Sequence, residues 1–482
     1  MAINKRVNRH IRAVWDKFSS SDRMSTVTLE EVKAFVEEKG LVVESIEEVE
    51  FGWNPSIKAI KLKADVCTAL YPREKLDEIK SYKKNIAHNQ NYENFWRAVD
   101  WFVPPYVPQG TINDTFSKSG INVQEHTRWN NRLLQERFEP YLSSIYTLGD
   151  IIPITLQVLT ESSVISKHLP VIKESILAFY SGMKVSAIAS LIPIVEDVLG
   201  SIIGSEDCSK FDTLTKVNKS IDKACDRVVK LHINNCDWVP NEYIESSVLK
   251  VMNERIFILE TIRSWLLNSF YVKTENYDNH SGFNRHFFAH AKSDIWQNTH
   301  NFFRAIGLIQ ALAFIECFAV EGSKVRISIP RSDARTESFR LEVFACLNFQ
   351  LLKKDIINQL QIDNNLPFNP IASDDGWLMR AAKLSDCMNS EIIPRLRDNG
   401  WQCHSFIDPV QDGEYISVEA TRGSKNKKIA LLYSCATSNS VYKELDKSCD
   451  IILYQGSYYK QDSYAYGVNA EISPLSAWLA PN

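Results

Sequence analysis

The segment Phe283-Asn284-Arg285-His286-Phe287-Phe288-Ala289-His290 sets three ionisable side chains close together in an otherwise apolar stretch. Arginine beside histidine suits cleavage of RNA by its own 2′-hydroxyl. An imidazole titrates near neutrality and can take or give a proton, while a guanidinium is a permanent planar cation that grips the phosphate as charge builds. That chemistry calls for no metal and no cofactor. On a helix His286 and His290 share a face, and Arg285 lies about 140° round from His290, so it joins them only from a looser first turn. Separate acid and base groups are wanted, and a second copy packed on the first brings another His290 to one cleft. This favours a symmetric homodimer with a shared site.

Two blander readings stay open. His286, His290 and Asp294 fall at i, i+4 and i+8 and so could present three metal ligands on one face, although no Glu follows His286 to make H-E-x-x-H. The same residues can equally cap a helix as a buried polar cluster with no turnover. Phe287, Phe288, Trp296, Phe302 and Phe303, at helical spacing, read as core rather than as base-stacking platforms.

The elements that must position these groups follow from the rest of the chain. At 482 residues there is room for about three domains. With only 17 Gly and 17 Pro, few breakers interrupt it, which predicts a helix-rich protein. Lys and Arg (55) are balanced by Asp and Glu (59), a net charge of −4, so no global positive field draws nucleic acid and any RNA contact is local. The ten cysteines contain no C-x-x-C pair, which argues against a zinc ribbon or thioredoxin site and for reduced thiols. The basic start MAINKRVNRH lacks the apolar region of a secretory signal. Ala305 to Val320, with Gln310 and Glu316 inside it, reads as a core helix too short to span a bilayer. A cytoplasmic protein without membrane contact is expected.

Residues 1–103 read as a small α/β module. Thr28 and Glu31 form a capping box for a helix that stops at Gly40, and IKAIKLKADV alternates as a half-exposed strand whose Lys58, Lys61 and Lys63 make a solvated face. The proline-rich WFVPPYVPQG marks a break, with connecting helices over 104–164. Over 165–322, helical periodicity dominates: a helix pair broken at Ser181-Gly182, then helices in 211–233, 242–271 and 284–320, form a bundle. Residues 323–482 mix strands (KVRISIPR, WQCHSFID, EYISVEATR, KKIALLYSC, CDIILYQG) with the helices EIIPRLRDNG and SVYKELDKS, which reads as a separate α/β domain.

The segment NRHFFAH resembles the Arg-x4-His signature of HEPN domains, with Arg285, His286 and His290 in its slots. The helix pair FYSGMKVSAIASLIPIVEDVLGSII is similar to the early helices of Apea-like HEPN domains of abortive-infection proteins, with Glu196 at an acidic helix position, and Asn301 opens a continuation like theirs. The resemblance covers about 160 central residues. It implies an all-α HEPN bundle dimerising through its motif helices. It also implies a metal-independent endoribonuclease used as a toxin against phage-infected cells, with RNA, tRNA among the candidates, as substrate and a phage-derived or nucleic-acid trigger as partner. Arg285 and His290 would be catalytic with His286 orienting them. Glu196 would hold Arg285, and Asn284 and Lys292 would support the site. Close relatives carry Gly after the last His, where this chain has Ala291-Lys292. The alternative is a silent HEPN scaffold.

The C-terminal domain loosely resembles a restriction-endonuclease-like core, in which Asp408, Glu419 and a lysine would hold a divalent metal. Glu419 is followed by Ala420-Thr421, not by the expected E-x-K. A degenerate, binding-only version is therefore expected, with a metal-dependent DNA nuclease as the competing reading. ATRGSKNKK at 420–428 reads as a basic loop.

Overall fold

The computed structural model describes residues 9–53, 56–204, 210–290, 295–363, 377–410, 414–456 and 461–481. The chain is helix-rich with two small sheets. It divides into two compact units, Met1–Ser175 with Ala187–Phe339, and Ile176–Ser186 with Arg340–Asn482. No unit boundary falls at 103, 164 or 322.

In the first unit the helix Leu29–Glu38 begins with the full Thr28/Glu31 capping box. Three antiparallel strands follow: β1 (Val43–Phe51), β2 (Ile57–Ala64) and β3 (Thr68–Pro72). Across β1 and β2, Lys63 pairs with Glu44 at 2.7 Å and Lys61 with Glu47 at 4.0 Å, so the lysines form one side of a charged ladder. This sheet does not stand alone. Leu70 N donates to Trp238 O at 2.9 Å, and Trp238 enters the same core as Ile60 and Tyr71. The proline-rich stretch is likewise no linker, for Trp101, Phe102, Val103 and Tyr106 are all buried.

The helical part turns on the closing helix His300–Ala319. It is apolar on every side and packs against Thr213–His232, as a central helix must. Gly307 lets Tyr146 lie against it, since an added Cβ would stand 2.4 Å from the phenol ring. Three of its buried polar residues are held by partners: Arg304 Nη1 donates to Glu139 at 2.9 Å, Asn301 donates to Ser281 O at 2.7 Å, and Glu316 accepts from Ser162 and Ser163. The expectation that this segment is too short to span a bilayer is corrected. The helix has 20 residues, about 30 Å. By length and composition alone it and Lys184–Ile203 are apolar enough to cross a membrane, as is the bent pair Asn131–Ile145 with Leu148–Glu161 if it is one span. In the structure 94% of the closing helix's apolar window is buried inside the protein.

Ser181-Gly182 does separate two helices, Leu169–Tyr180 and Lys184–Ile203, with Gly182 in the left-handed region at φ +82°. The 242–271 stretch is not one helix. Asn253 is extended, and its side chain caps a new helix, Glu254–Trp265, after Ser246–Met252.

In the second unit, β4 (Gln402–Val410), β5 (Tyr415–Arg422) and β6 (Lys425–Leu432) form an antiparallel meander. Strands β7 (Ile451–Tyr454) and β8 (Glu471–Pro474) continue it in parallel. Ile416, Val418 and Leu431 face the helix Ile393–Asp398, while Ala430 and Leu432 face the helix Asn439–Asp446. Two expectations for residues 323–482, one a strand and one a loop, need correction. KVRISIPR forms no strand: Tyr106 donates to Arg326 O and Gln157 to Arg331 O, satisfying its backbone with side chains instead. The basic stretch 420–428 is not a loop but two paired strands around Gly423-Ser424, with Gly423 at φ +63°. Within it Lys427 pairs with Asp450 and Lys428 with Glu419.

Candidate functional site

Arg285 opens a separate helix of six residues, Arg285–His290, rather than the start of the closing helix. What starts it is Asn284, which is buried. Its Oδ1 accepts from the backbone of His286 at 2.8 Å and Phe287 at 3.2 Å. Its Nδ2 donates to Ser269 O at 2.8 Å and Val272 O at 2.9 Å. One side chain thus caps the motif helix and ties it to the segment before it. Asn284 is spent on structure, not aimed at a ligand.

Arg285 Nε donates to Glu196 Oε1 at 2.7 Å, and both side chains remain about one-third exposed (35% and 36%). The next acid goes elsewhere: Asp197 takes Lys167 at 2.6 Å and His168 at 2.8 Å. The helix Lys184–Ile203 therefore offers two consecutive carboxylates to two different elements. With Nε anchored, the terminal nitrogens of Arg285 have no hydrogen-bond partner among the described residues. That edge is the planar fork that matches a phosphate.

His286 is half-buried. His290 ends the motif helix, but its side chain lies outside the described residues, as do Lys292 and Asp294. The structure therefore brings Arg285, Glu196 and Asn284 together, and the metal reading falls outside the described residues. The aromatic neighbours pack on one another, Phe287 on Tyr277 at 5.1 Å and Phe288 on Trp296 at 5.2 Å, while Phe302 and Phe303 are buried. In the second unit Glu419 sits opposite His404 and Lys428 in the sheet, with Glu419 and Lys428 3.5 Å apart, and the side chain of Asp408 lies outside the described residues. Among the described residues no group of three or more His, Cys, Asp or Glu is arranged to hold a metal.

Sequence reasoning missed three features. The Tyr271 hydroxyl is buried with no hydrogen-bond partner among the described residues. Burial pushes it far above the usual phenol range, the Glu196 charge adds to this, and Arg285 opposes it. The second is Asp100, held in the left-handed region at φ +56° and buried. Its carboxylate accepts from Ser269, from Ser281 at 2.8 Å and from Trp265 Nε1 at 3.1 Å. Burial raises its pKa, against the Arg304 charge and these donors. The third is the Arg304–Glu139 pair, with His280 3.4 Å from Glu139. A lone Asp after an amphipathic helix, or an Arg in an apolar run, offers no spacing signal that could have found them.

Comparison of the chain with protein-family models, with curated proteins and with solved structures gives no match.

Proposed function

We propose that the chain is a metal-independent endoribonuclease of the HEPN kind, an effector of antiphage defence, in which Arg285 grips the scissile phosphate and His290 moves the proton. The reading rests on one observation: Arg285, at a capped helix start, is held by Nε to Glu196, its terminal nitrogens have no hydrogen-bond partner among the described residues, and the pair stays about one-third exposed.

In the reaction the substrate's 2′-oxygen loses its proton to a base and attacks phosphorus. The bond from phosphorus to the 5′-oxygen breaks, and that oxygen receives a proton. The products are a 2′,3′-cyclic phosphate and a 5′-hydroxyl. Arginine contributes where negative charge accumulates on the phosphoryl oxygens, and histidine, with a pKa near neutrality, serves either proton transfer. A homodimer bringing two copies of His290 to one cleft would supply both an acid and a base. The second unit, a mixed five-stranded sheet between helices, is read as a degenerate restriction-endonuclease-like module that receives a phage-derived or nucleic-acid trigger.

The test is end-group analysis of RNA after expression of wild type, Arg285→Ala and His290→Ala. Cyclic phosphate ends that persist in chelator, and that both variants abolish, are expected. Equal harmlessness and equal RNA integrity in all three would overturn the reading in favour of a silent scaffold.

A further inference from the structure

A cleft of about 210 Å³ lies within the first unit, lined by Trp96, Trp101 and Trp265 with Asn131, Asn268 and Arg97 around them. It is smaller than the roughly 300–1,000 Å³ of pockets for drug-sized ligands, so it holds one ring system and little more.

Its hydrogen-bonding groups fall into two classes. Ser269, Asn279 and Asp100 are occupied by each other: Asn279 Nδ2 donates to Ser269 Oγ at 3.1 Å, and Ser269 Oγ donates to Asp100. Thr261 is engaged too, donating to Ile258 O at 2.8 Å. Without a partner among the described residues are the Asn131 amide, Oδ1 of Asn268, whose Nδ2 is tied to Ser264 O at 2.8 Å, and the Ser264 hydroxyl hydrogen. These are neutral donors and acceptors side by side, the complement of a heterocycle with an amide edge. The charged groups lining the cleft are two carboxylates, Glu93 and Asp100, against one guanidinium, Arg97. That balance disfavours a phosphate inside it. A buried carboxylate held in a strained backbone conformation at the floor of an indole-lined cleft is also where binding sites are found.

The cleft is joined to the motif. Ser269, on its wall, accepts through its carbonyl from Asn284 Nδ2 at 2.8 Å, and Asn284 caps the helix that Arg285 opens. Asp100 also holds Ser281, whose hydroxyl accepts from Phe283 N at 3.1 Å.

We propose that this cleft binds a neutral nucleobase or nucleoside, and that its occupancy is transmitted through Ser269 and Asn284 to the position of Arg285. The transmission rests on the ribonuclease reading, whereas the binding does not. A free nucleoside and a base turned out of an RNA strand share this chemistry.

Three tryptophans in the walls give a direct readout. The full chain is titrated with the four ribonucleosides, their 5′-monophosphates and a 2′-deoxy oligonucleotide that cannot be cleaved, following indole fluorescence. Saturable quenching by at least one nucleoside is expected, weakened at least tenfold by Asn268→Ala and abolished by the cleft-filling Ser264→Phe. The matching monophosphate should bind more weakly. The bound nucleoside should also alter affinity for the oligonucleotide by the same factor that the oligonucleotide alters affinity for it. If quenching comes only from the oligonucleotide and Ser264→Phe removes it, the source is a strand's base. The proposal is overturned if no nucleoside or oligonucleotide quenches saturably, or if Ser264→Phe leaves quenching intact. A chain that binds nucleosides but cuts no RNA would sink the ribonuclease reading and leave the cleft standing, and one that cuts RNA but binds no base would do the reverse.

Discussion

Two arginine–glutamate pairs in this chain are alike in contact distance and opposite in setting. Arg285 meets Glu196 at 2.7 Å and Arg304 meets Glu139 at 2.9 Å. The first pair keeps 35% and 36% of its side-chain surface, the second 0% and 3%. Water screens the first, so holding it contributes at most about 1 kcal/mol to the fold. The second sits where losing one partner strands the other's charge. Distance therefore says nothing about role, and solvent decides it. Arg304 also leaves Nε and Nη2 without partners among the described residues, but inside the core, where no phosphate arrives.

The sharpest way to break this comparison is to remove the buried cation. Arg304→Ala should destabilise the protein by about 3–5 kcal/mol, since it leaves the Glu139 carboxylate buried without a permanent cation, beside His280 and Asn298. Denaturant midpoints measure it. A loss below about 1 kcal/mol would mean the pair is no more structural than its exposed counterpart.

A smaller effect tests burial where no ion pair is present. His232 is buried against Phe51, with Asn253 Nδ2 3.2 Å from its Nδ1, and burial pushes its pKa down to about 4 from 6.5. Between these values the unfolded chain takes a proton that the folded chain refuses. Stability is therefore complete above pH 6.5 and declines as the pH falls toward 4, by on the order of 3 kcal/mol for this one group. Denaturant titrations at pH 7 and pH 4.5 on wild type and His232→Phe should show the variant losing less on acidification. Equal losses would remove His232 from the account.

The contrast also explains what was legible in the sequence. Thr28 with Glu31 and the turn at Gly182 were readable because each depends on neighbours in the chain. The Arg285 motif was readable because its chemistry is dense in sequence. The Asp100 hub was not, since it gathers partners 165 to 181 positions away, and no local pattern encodes a contact made across the fold. The proline-rich stretch misled for the same reason. Prolines do break helices there, but Trp101 and Phe102 are buried against Trp265, a packing that only the tertiary structure reveals.

The smallest effect on stability should accompany a large effect on cleavage. A double-mutant cycle with Arg285→Ala and Glu196→Ala should give a coupling below about 1 kcal/mol that shrinks further in salt. The same cycle on Arg304 and Glu139 should give a coupling several times larger. Cleavage separates the two roles of Glu196. If it positions Arg285 by accepting from Nε, then Glu196→Gln, which keeps an acceptor oxygen, should retain more activity than Glu196→Ala, and the loss should appear in kcat as misaligned phosphate contact rather than in KM alone. A Glu196→Ala protein as active as wild type would mean that Arg285 finds its place without the carboxylate, and that the 2.7 Å contact is only where an idle arginine rests.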